Sequence, residues 1–128
     1  MRKGFTLLEL IIVIIIIGVL ATLGFTQYTK VVEKGRAAEA RAILGTLRTA
    51  ENAYFQEFGV YTATVTELGL ELPSAACLTT HYFRYTCALA TGTCTATRCI
   101  AGGKTPNAAV VYNKTLDQAG VFGGTAGY

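Results

Sequence analysis

An apolar run near the start of the chain constrains its structure more than any other feature. Between residues 5 and 25 the only formally charged residue is Glu9. About 20 apolar residues in an α-helix rise roughly 30 Å, which is enough to cross the hydrocarbon core of a bilayer. An ordinary secretory signal has a shorter apolar core, of about 7–15 residues. The run therefore predicts a helix that spans a membrane.

Two basic residues precede this run and predict its orientation. Arg2 and Lys3 favour a cytoplasmic N-terminus, because short positively charged segments stay on the cytoplasmic side. The rest of the chain is then extracytoplasmic. The formal net charge of +3 includes these two residues, and without them the balance is about +1. Such a balance gives no electrostatic argument for binding nucleic acid.

Glu9 is an unusual residue for a membrane span. An ionised carboxylate that faces lipid costs about 2.5 kcal/mol or more, so it is expected to find a partner. Residues 5–25 contain no cation that could pair with it. Cleavage after Gly4 would create one, because the new α-amino group of Phe5 would lie about one helical turn from Glu9. The pair could form within one chain or between adjacent copies in an assembly.

Residues 3–9, followed by the apolar residues 10–23, resemble the N-terminal signal of type IV pilins and pseudopilins. The resemblance rests on a basic leader, Gly4 at the cleavage point, Phe5 after it, Glu9 and an unbroken apolar helix. It implies that a prepilin peptidase cleaves after Gly4 and methylates the amine of Phe5. It also implies that Glu9 engages the N-terminus of a neighbouring subunit during filament assembly.

The resemblance implies a structural filament subunit and its partners. These are many copies of itself, an assembly ATPase, an inner-membrane platform protein and, in a cell with two membranes, an outer-membrane secretin. The precursor would be a single-pass protein of the cytoplasmic membrane, and the mature protein would lie in an extracellular pilus.

Two alternatives stay open. One is a pseudopilin of a type II secretion or competence system, and the other is a non-filamentous single-pass membrane protein. Major pseudopilins of type II secretion usually carry a C-terminal acidic calcium loop. In this chain Asp117 is the only acidic residue after Glu71, which counts against that alternative.

Beyond the apolar run the pattern becomes amphipathic. Apolar residues recur at three- and four-residue steps from Tyr28 to Phe58. This spacing predicts that one helix continues from about residue 5 to about residue 58, and that Gly59 ends it. The chain then divides into a leader (1–4), a hydrophobic membrane and filament-core helix (5–28) and a globular domain (29–128).

The globular domain is predicted to combine the amphipathic part of the helix with a small sheet. A connecting segment (59–80) would lead to an antiparallel sheet (81–115) and a C-terminal tail. Three strand-like runs, 82–89, 94–100 and 109–113, are separated by turn-rich residues, and a fourth strand is an open alternative. The fold class is therefore α+β, and the resemblance implies the ladle-shaped pilin fold.

Four cysteines lie in the part that is predicted to be exported, where an oxidising compartment favours disulfides. Three pairings are possible. We favour Cys87–Cys94, across a hairpin turn, with Cys77–Cys99 tying the connecting segment to the second strand. A zinc site that adds His81 is the alternative, but the cysteines lack paired C-x-x-C spacing.

The sequence does not indicate an enzyme. It holds one serine, one histidine and one aspartate, so a catalytic triad would need Ser74, His81 and Asp117 to converge, without a G-x-S-x-G motif. Residues 102–105 lack the spacing of a phosphate-binding loop. We expect no catalytic residue, metal or cofactor.

Overall fold

The computed structural model describes residues 4–71 and 74–126. The elements in these residues are a long helix α1, a short 3₁₀ helix and four strands β1–β4. Their bounds are Leu7–Phe58 for α1, Val65–Leu68 for the 3₁₀ helix, Phe83–Cys87 for β1, Cys94–Arg98 for β2, Asn113–Leu116 for β3 and Phe122–Gly124 for β4. The chain divides into two compact units, Met1–Lys34 and Gly35–Tyr128.

The first unit contains the start of α1, and its described side chains are exposed except those of Val32 and Glu33, which are half-buried. The helix begins at Leu7, two residues after the predicted start. Every residue from 4 to 31 is exposed. The predicted basic leader residues Arg2 and Lys3 lie outside the described residues.

In the second unit, α1 buries a single stripe. Five residues of the helix are fully buried: Ala37, Ala40, Leu44, Leu47 and Glu51. They are separated by three or four positions, which is the spacing of one helical face. Gly59 follows the last helical residue with a φ of +73° and donates its backbone N–H to the carbonyl of Phe55 at 2.8 Å. The predicted glycine stop is therefore confirmed.

The four strands form an antiparallel meander in the order β1-β2-β3-β4. Side chains alternate between buried and exposed along β1, as expected for a sheet with one covered face. The buried residues of β1, β2 and β3 join the helical stripe in one hydrophobic core. Within this unit the helix packs on the sheet, and the predicted α+β class is confirmed.

The predicted third strand was misplaced. It was expected at 109–113, but β3 covers Asn113–Leu116. The prediction rested on the β-branched residues Val110 and Val111, but both side chains are exposed. The strand that pairs with β2 instead carries a buried lysine, Lys114, which an apolar-alternation pattern does not identify.

Lys114 is tolerated in this strand because its ammonium group has a partner. Its Nζ donates to the carbonyl of Thr125 at 2.8 Å. Burial lowers the pKa of Lys114, and the positive charge of Arg41 lowers it further.

The sheet also extends beyond the predicted limit at residue 115. The tail contributes β4, which pairs antiparallel with β3. The turn between them is closed by the carboxylate of Asp117, which accepts the backbone N–H of Val121 at 2.8 Å. Gly120 in this turn has a φ of +88°, which favours glycine. The last two residues of the predicted tail, 127 and 128, lie outside the described residues.

Candidate functional site

The residues of the predicted cleavage point lie just before the helix. Gly4 and Phe5 are not helical, and the side chain of Phe5 is 88% exposed. A Cβ atom added to Gly4 would meet no atom within 4 Å. Packing within the described residues therefore does not require glycine at position 4.

Thr6 and Glu9 form a reciprocal pair of hydrogen bonds at the start of α1. The Glu9 carboxylate accepts the backbone N–H of Thr6 at 2.9 Å and the Thr6 hydroxyl at 3.0 Å, in both cases through Oε2. In return the Thr6 Oγ1 accepts the backbone N–H of Glu9 at 3.2 Å. This arrangement is a capping box, in which two N–H groups left open by the helix terminus are satisfied.

The capping box changes the interpretation of Glu9. The sequence analysis looked for a cation and found none, but the structure gives the carboxylate a neutral partner three residues away. The Thr6-Leu7-Leu8-Glu9 segment matches the S/T-x-x-E pattern of a capping box before an apolar run. That signal was present in the sequence and was missed.

Two further threonines of the exposed run, Thr22 and Thr26, bond to their own helix. The hydroxyl of Thr22 donates to the carbonyl of Val19 at 2.8 Å, and that of Thr26 donates to the carbonyl of Leu23 at 3.1 Å. A hydroxyl that bonds back to the backbone needs no partner outside the helix. These side chains are therefore compatible with an apolar environment.

The helix is long and apolar enough to cross a membrane. An 18-residue window within Leu7–Phe58 has a mean hydropathy of 2.8, and none of that window is buried. This assessment rests on length and composition alone, and a signal sequence near an N-terminus would also satisfy it.

The four cysteines form two disulfides in the second unit. Cys77 is bonded to Cys99, with their Cα atoms 5.9 Å apart, and Cys87 is bonded to Cys94, with their Cα atoms 4.0 Å apart. These are the two pairs that the sequence analysis favoured. With its sulfurs bonded in this way, neither pair offers the thiolates that a zinc site needs. The Nδ1 of His81 lies 2.7 Å from the hydroxyl of Thr80.

The three residues considered for a triad each have a local partner. Ser74 accepts the backbone N–H of Ala76 at 2.9 Å through its hydroxyl, and Asp117 accepts that of Val121. His81 contacts Thr80. These bonds account for Ser74 and Asp117 as turn-forming residues, and the ring of His81 is bonded to the neighbouring Thr80.

Comparison with known proteins supports a specific class for the N-terminal segment. Residues 1–25 match the family model described as the prokaryotic N-terminal methylation motif. The chain is similar to the type IV major pilin protein PilA of Myxococcus xanthus (strain DK1622), with 37% identity over 68 residues that cover 53% of this chain and 31% of the relative.

Two further relatives of the chain are also pilin or fimbrial proteins. Fimbrial protein EcpC of Eikenella corrodens is 38% identical over 69 residues, which cover 54% of this chain and 45% of the relative. The type IV major pilin protein PilE of Neisseria gonorrhoeae is 31% identical over 75 residues, which cover 59% of this chain and 45% of the relative. The chain matches less than half the length of each of these three relatives. No solved structure matches the chain significantly.

The N-terminal motif, the pilin relatives and the α+β fold of the described residues together confirm the predicted resemblance to the type IV pilin family.

Proposed function

We propose that the chain is the structural subunit of a type IV pilus filament. The precursor would be inserted in the cytoplasmic membrane with its N-terminus in the cytoplasm, cleaved after Gly4, methylated at Phe5 and polymerised through α1. The observation that carries this proposal is the N-terminal segment itself, in which the methylation motif coincides with a capped and fully exposed apolar helix.

The exposed apolar surface supports a filament-core role for this helix. Fourteen large hydrophobic side chains between Leu7 and Phe25 are exposed. Burial of one such side chain is worth about 1.5–3 kcal/mol, so leaving all of them in water would forgo roughly 20 kcal/mol or more. Another molecule must therefore cover them. Lipid would do so before assembly, and the helices of other copies would do so in the filament.

The position of Glu9 in the first turn of α1 supports an assembly role for this residue. Cleavage after Gly4 leaves both Thr6 and Glu9 in the chain. The carboxylate would then stay at the end of the helix where the new amine of Phe5 forms. An ammonium group brought into an apolar bundle by the next subunit would meet this carboxylate.

The partners follow from the resemblance. We include prepilin peptidase, an assembly ATPase, an inner-membrane platform protein and, where a second membrane exists, a secretin. In this role the protein would be a structural subunit without an active site.

A matched pair of glycine variants tests the processing step. Gly4→Val should remain an uncut membrane precursor, because the peptidase would no longer find glycine before the cut. Gly18→Val should be cleaved normally, since Gly18 lies within the helix, where an added Cβ also meets no atom within 4 Å. Immunoblots of precursor and mature chain, with N-terminal peptide mass analysis, would measure both.

Two outcomes would contradict this proposal. One is normal cleavage of Gly4→Val. The other is a wild-type protein that keeps Met1 in the cell, which would favour a non-filamentous membrane protein.

A further inference from the structure

The second unit contains a carboxyl group in its core. Glu51 ends the buried stripe of α1 and is 0% exposed. Its Oε2 accepts the backbone N–H of Thr62 at 3.2 Å. Its Oε1 is also buried and has no hydrogen-bond partner within residues 4–71 and 74–126. A buried polar atom without a partner is uncommon in a folded protein and calls for an explanation.

This carboxyl group lies against one of the two disulfides. A carboxylate oxygen of Glu51 and the sulfurs of Cys87 and Cys94 all lie within 4.8 Å of one another. Within the described part of the chain, no histidine, aspartate or glutamate lies comparably close to both sulfurs of Cys77–Cys99. Of the two disulfides, Cys87–Cys94 therefore has a carboxyl group close to both of its sulfurs.

The surroundings of Glu51 favour its protonated form over the charged form. Burial raises the pKa of Glu51, and the Thr62 N–H only partly offsets this effect. Because Oε2 accepts that N–H, Oε1 is the oxygen that is left to carry the proton. A carboxylic acid beside a disulfide can protonate a sulfur that leaves as thiolate.

We propose that Glu51 is the proton donor and acceptor for breaking and forming the Cys87–Cys94 disulfide, so that this bond exchanges with external thiols by a route that Cys77–Cys99 lacks. The inference is independent of filament assembly. It concerns only residues of the second unit.

Reduction would proceed in two displacements by a dithiol. One thiolate of the reductant attacks Sγ of Cys87, which is 7% exposed, whereas Cys94 is 0% exposed. A bond from the reductant sulfur to Cys87 forms, the Cys87–Cys94 bond breaks, and the electron pair goes to Cys94. Cys94 then takes the proton from Glu51, and Glu51 regains one from solvent. The second thiolate of the reductant displaces Cys87, which is protonated, and the reductant leaves as a disulfide.

Formation of the bond by a disulfide oxidant uses the reverse proton transfer. The oxidant first forms a mixed disulfide with Cys87 and releases a thiol. The Glu51 carboxylate takes the proton of the Cys94 thiol, and the resulting thiolate attacks Cys87 and expels the second thiolate of the oxidant. Proton transfer to Glu51 would favour formation of the Cys94 thiolate, because a thiol in apolar surroundings resists ionisation.

The charged side chains of Arg48 and Glu67, on α1 and the 3₁₀ helix, have hydrogen-bond partners of their own. Glu67, on the 3₁₀ helix, accepts the Thr62 hydroxyl at 2.6 Å. Arg48, one turn earlier on α1, donates to a backbone carbonyl after β3 at 2.8 Å. From β3, the buried Leu116 pairs with Cys94. Among the histidines, aspartates and glutamates of the described residues, Glu51 is the one that lies within 4.8 Å of both sulfurs, and Glu67 is the matched carboxyl group, which shares the Thr62 residue as a partner.

The test compares the two disulfides of the full chain in detergent micelles. Dithiothreitol would be the reductant, and alkylation with mass mapping would follow each bond separately across pH. The internal ratio of the Cys87–Cys94 rate to the Cys77–Cys99 rate cancels the ionisation of the reductant. We expect this ratio to fall as pH rises through the titration of Glu51, because only the protonated acid can donate.

Glu51→Gln should lower the Cys87–Cys94 rate by about a hundredfold or more, in line with general acid catalysis, and should leave the ratio independent of pH. Glu67→Gln should change neither. The proposal would be overturned if Glu51→Gln slowed both disulfides equally, which would indicate a structural role, or left the ratio unchanged. If Glu51→Gln did not fold, a wild-type ratio that is flat with pH would overturn it alone.

Discussion

Leucines in the two parts of α1 lie in opposite environments. Leu10, in the first unit, is 61% exposed, and Leu44, in the second unit, is 0% exposed. Both lie in one continuous helix. The second part buries its stripe in a core of its own chain, whereas the first part finds no cover among the described residues. Formation of a helix and burial of its apolar face are therefore separate requirements. Among the described residues, the second part of α1 buries its apolar face and the first part does not.

The two carboxylates of α1 discussed above repeat this contrast. Glu9 is exposed and accepts hydrogen bonds from Thr6, while Glu51 is buried beside a disulfide. The same side chain serves as a helix cap in one unit and as a proton carrier in our proposal for the other. Environment, rather than residue type, separates the two roles.

The difference in burial between the two parts of α1 can be tested by making the same substitution at one position in each part. Leu44→Ala should lower the free energy of unfolding of the second unit by about 2–5 kcal/mol, because it leaves a cavity in the core. Leu10→Ala should leave this free energy unchanged, since its side chain is exposed. Guanidinium denaturation in micelles, followed by the near-ultraviolet circular dichroism of the tyrosines, would measure both. Equal destabilisation by the two variants would contradict the division into units.

A smaller effect is expected at the helix start. Thr6→Val removes the hydroxyl that caps α1 and should destabilise the first turn by about 1 kcal/mol, while Thr6→Ser should keep the cap. Backbone chemical shifts of residues 6–10 in micelles would report where the helix begins. If the valine variant started its helix at Leu7 as firmly as the serine variant, the capping box would not stabilise this terminus.

Most of the fold followed from the sequence because its signals are local. The helix, its stop at Gly59 and the first two strands rest on periodicity and on glycine chemistry. The third strand did not follow, since Lys114 is made compatible with burial by a carbonyl of Thr125, which is remote in sequence. The fourth strand is short, glycine-rich and exposed, so it carries no alternating pattern.

The candidate site was only partly predictable. The resemblance to type IV pilins named Gly4, Phe5 and Glu9 as candidate site residues, and their roles in cleavage and assembly stay predictions. The Thr6 partner of Glu9 was readable from the T-x-x-E spacing, but the search for a cation obscured it. The proximity of Glu51 to the Cys87–Cys94 disulfide could not be predicted from the sequence, because it depends on how the helix packs against the two strands.

We propose that Glu9 serves assembly, whereas the second unit folds without it. The most direct measurement is the number of filaments on cells that express Glu9→Leu, with Glu57→Leu, a change of an exposed carboxylate on the same helix, as the control. Immunoblots would confirm equal membrane pools and equal cleavage in both.

We expect Glu9→Leu cells to lose nearly all filaments, because the ammonium group of an incoming subunit would enter an apolar bundle unpaired, at a cost of about 3–5 kcal/mol. Glu9→Gln should be intermediate at best, since an amide accepts a hydrogen bond but does not neutralise the charge. Glu57→Leu should assemble normally. Wild-type numbers of filaments on Glu9→Leu cells would contradict the account.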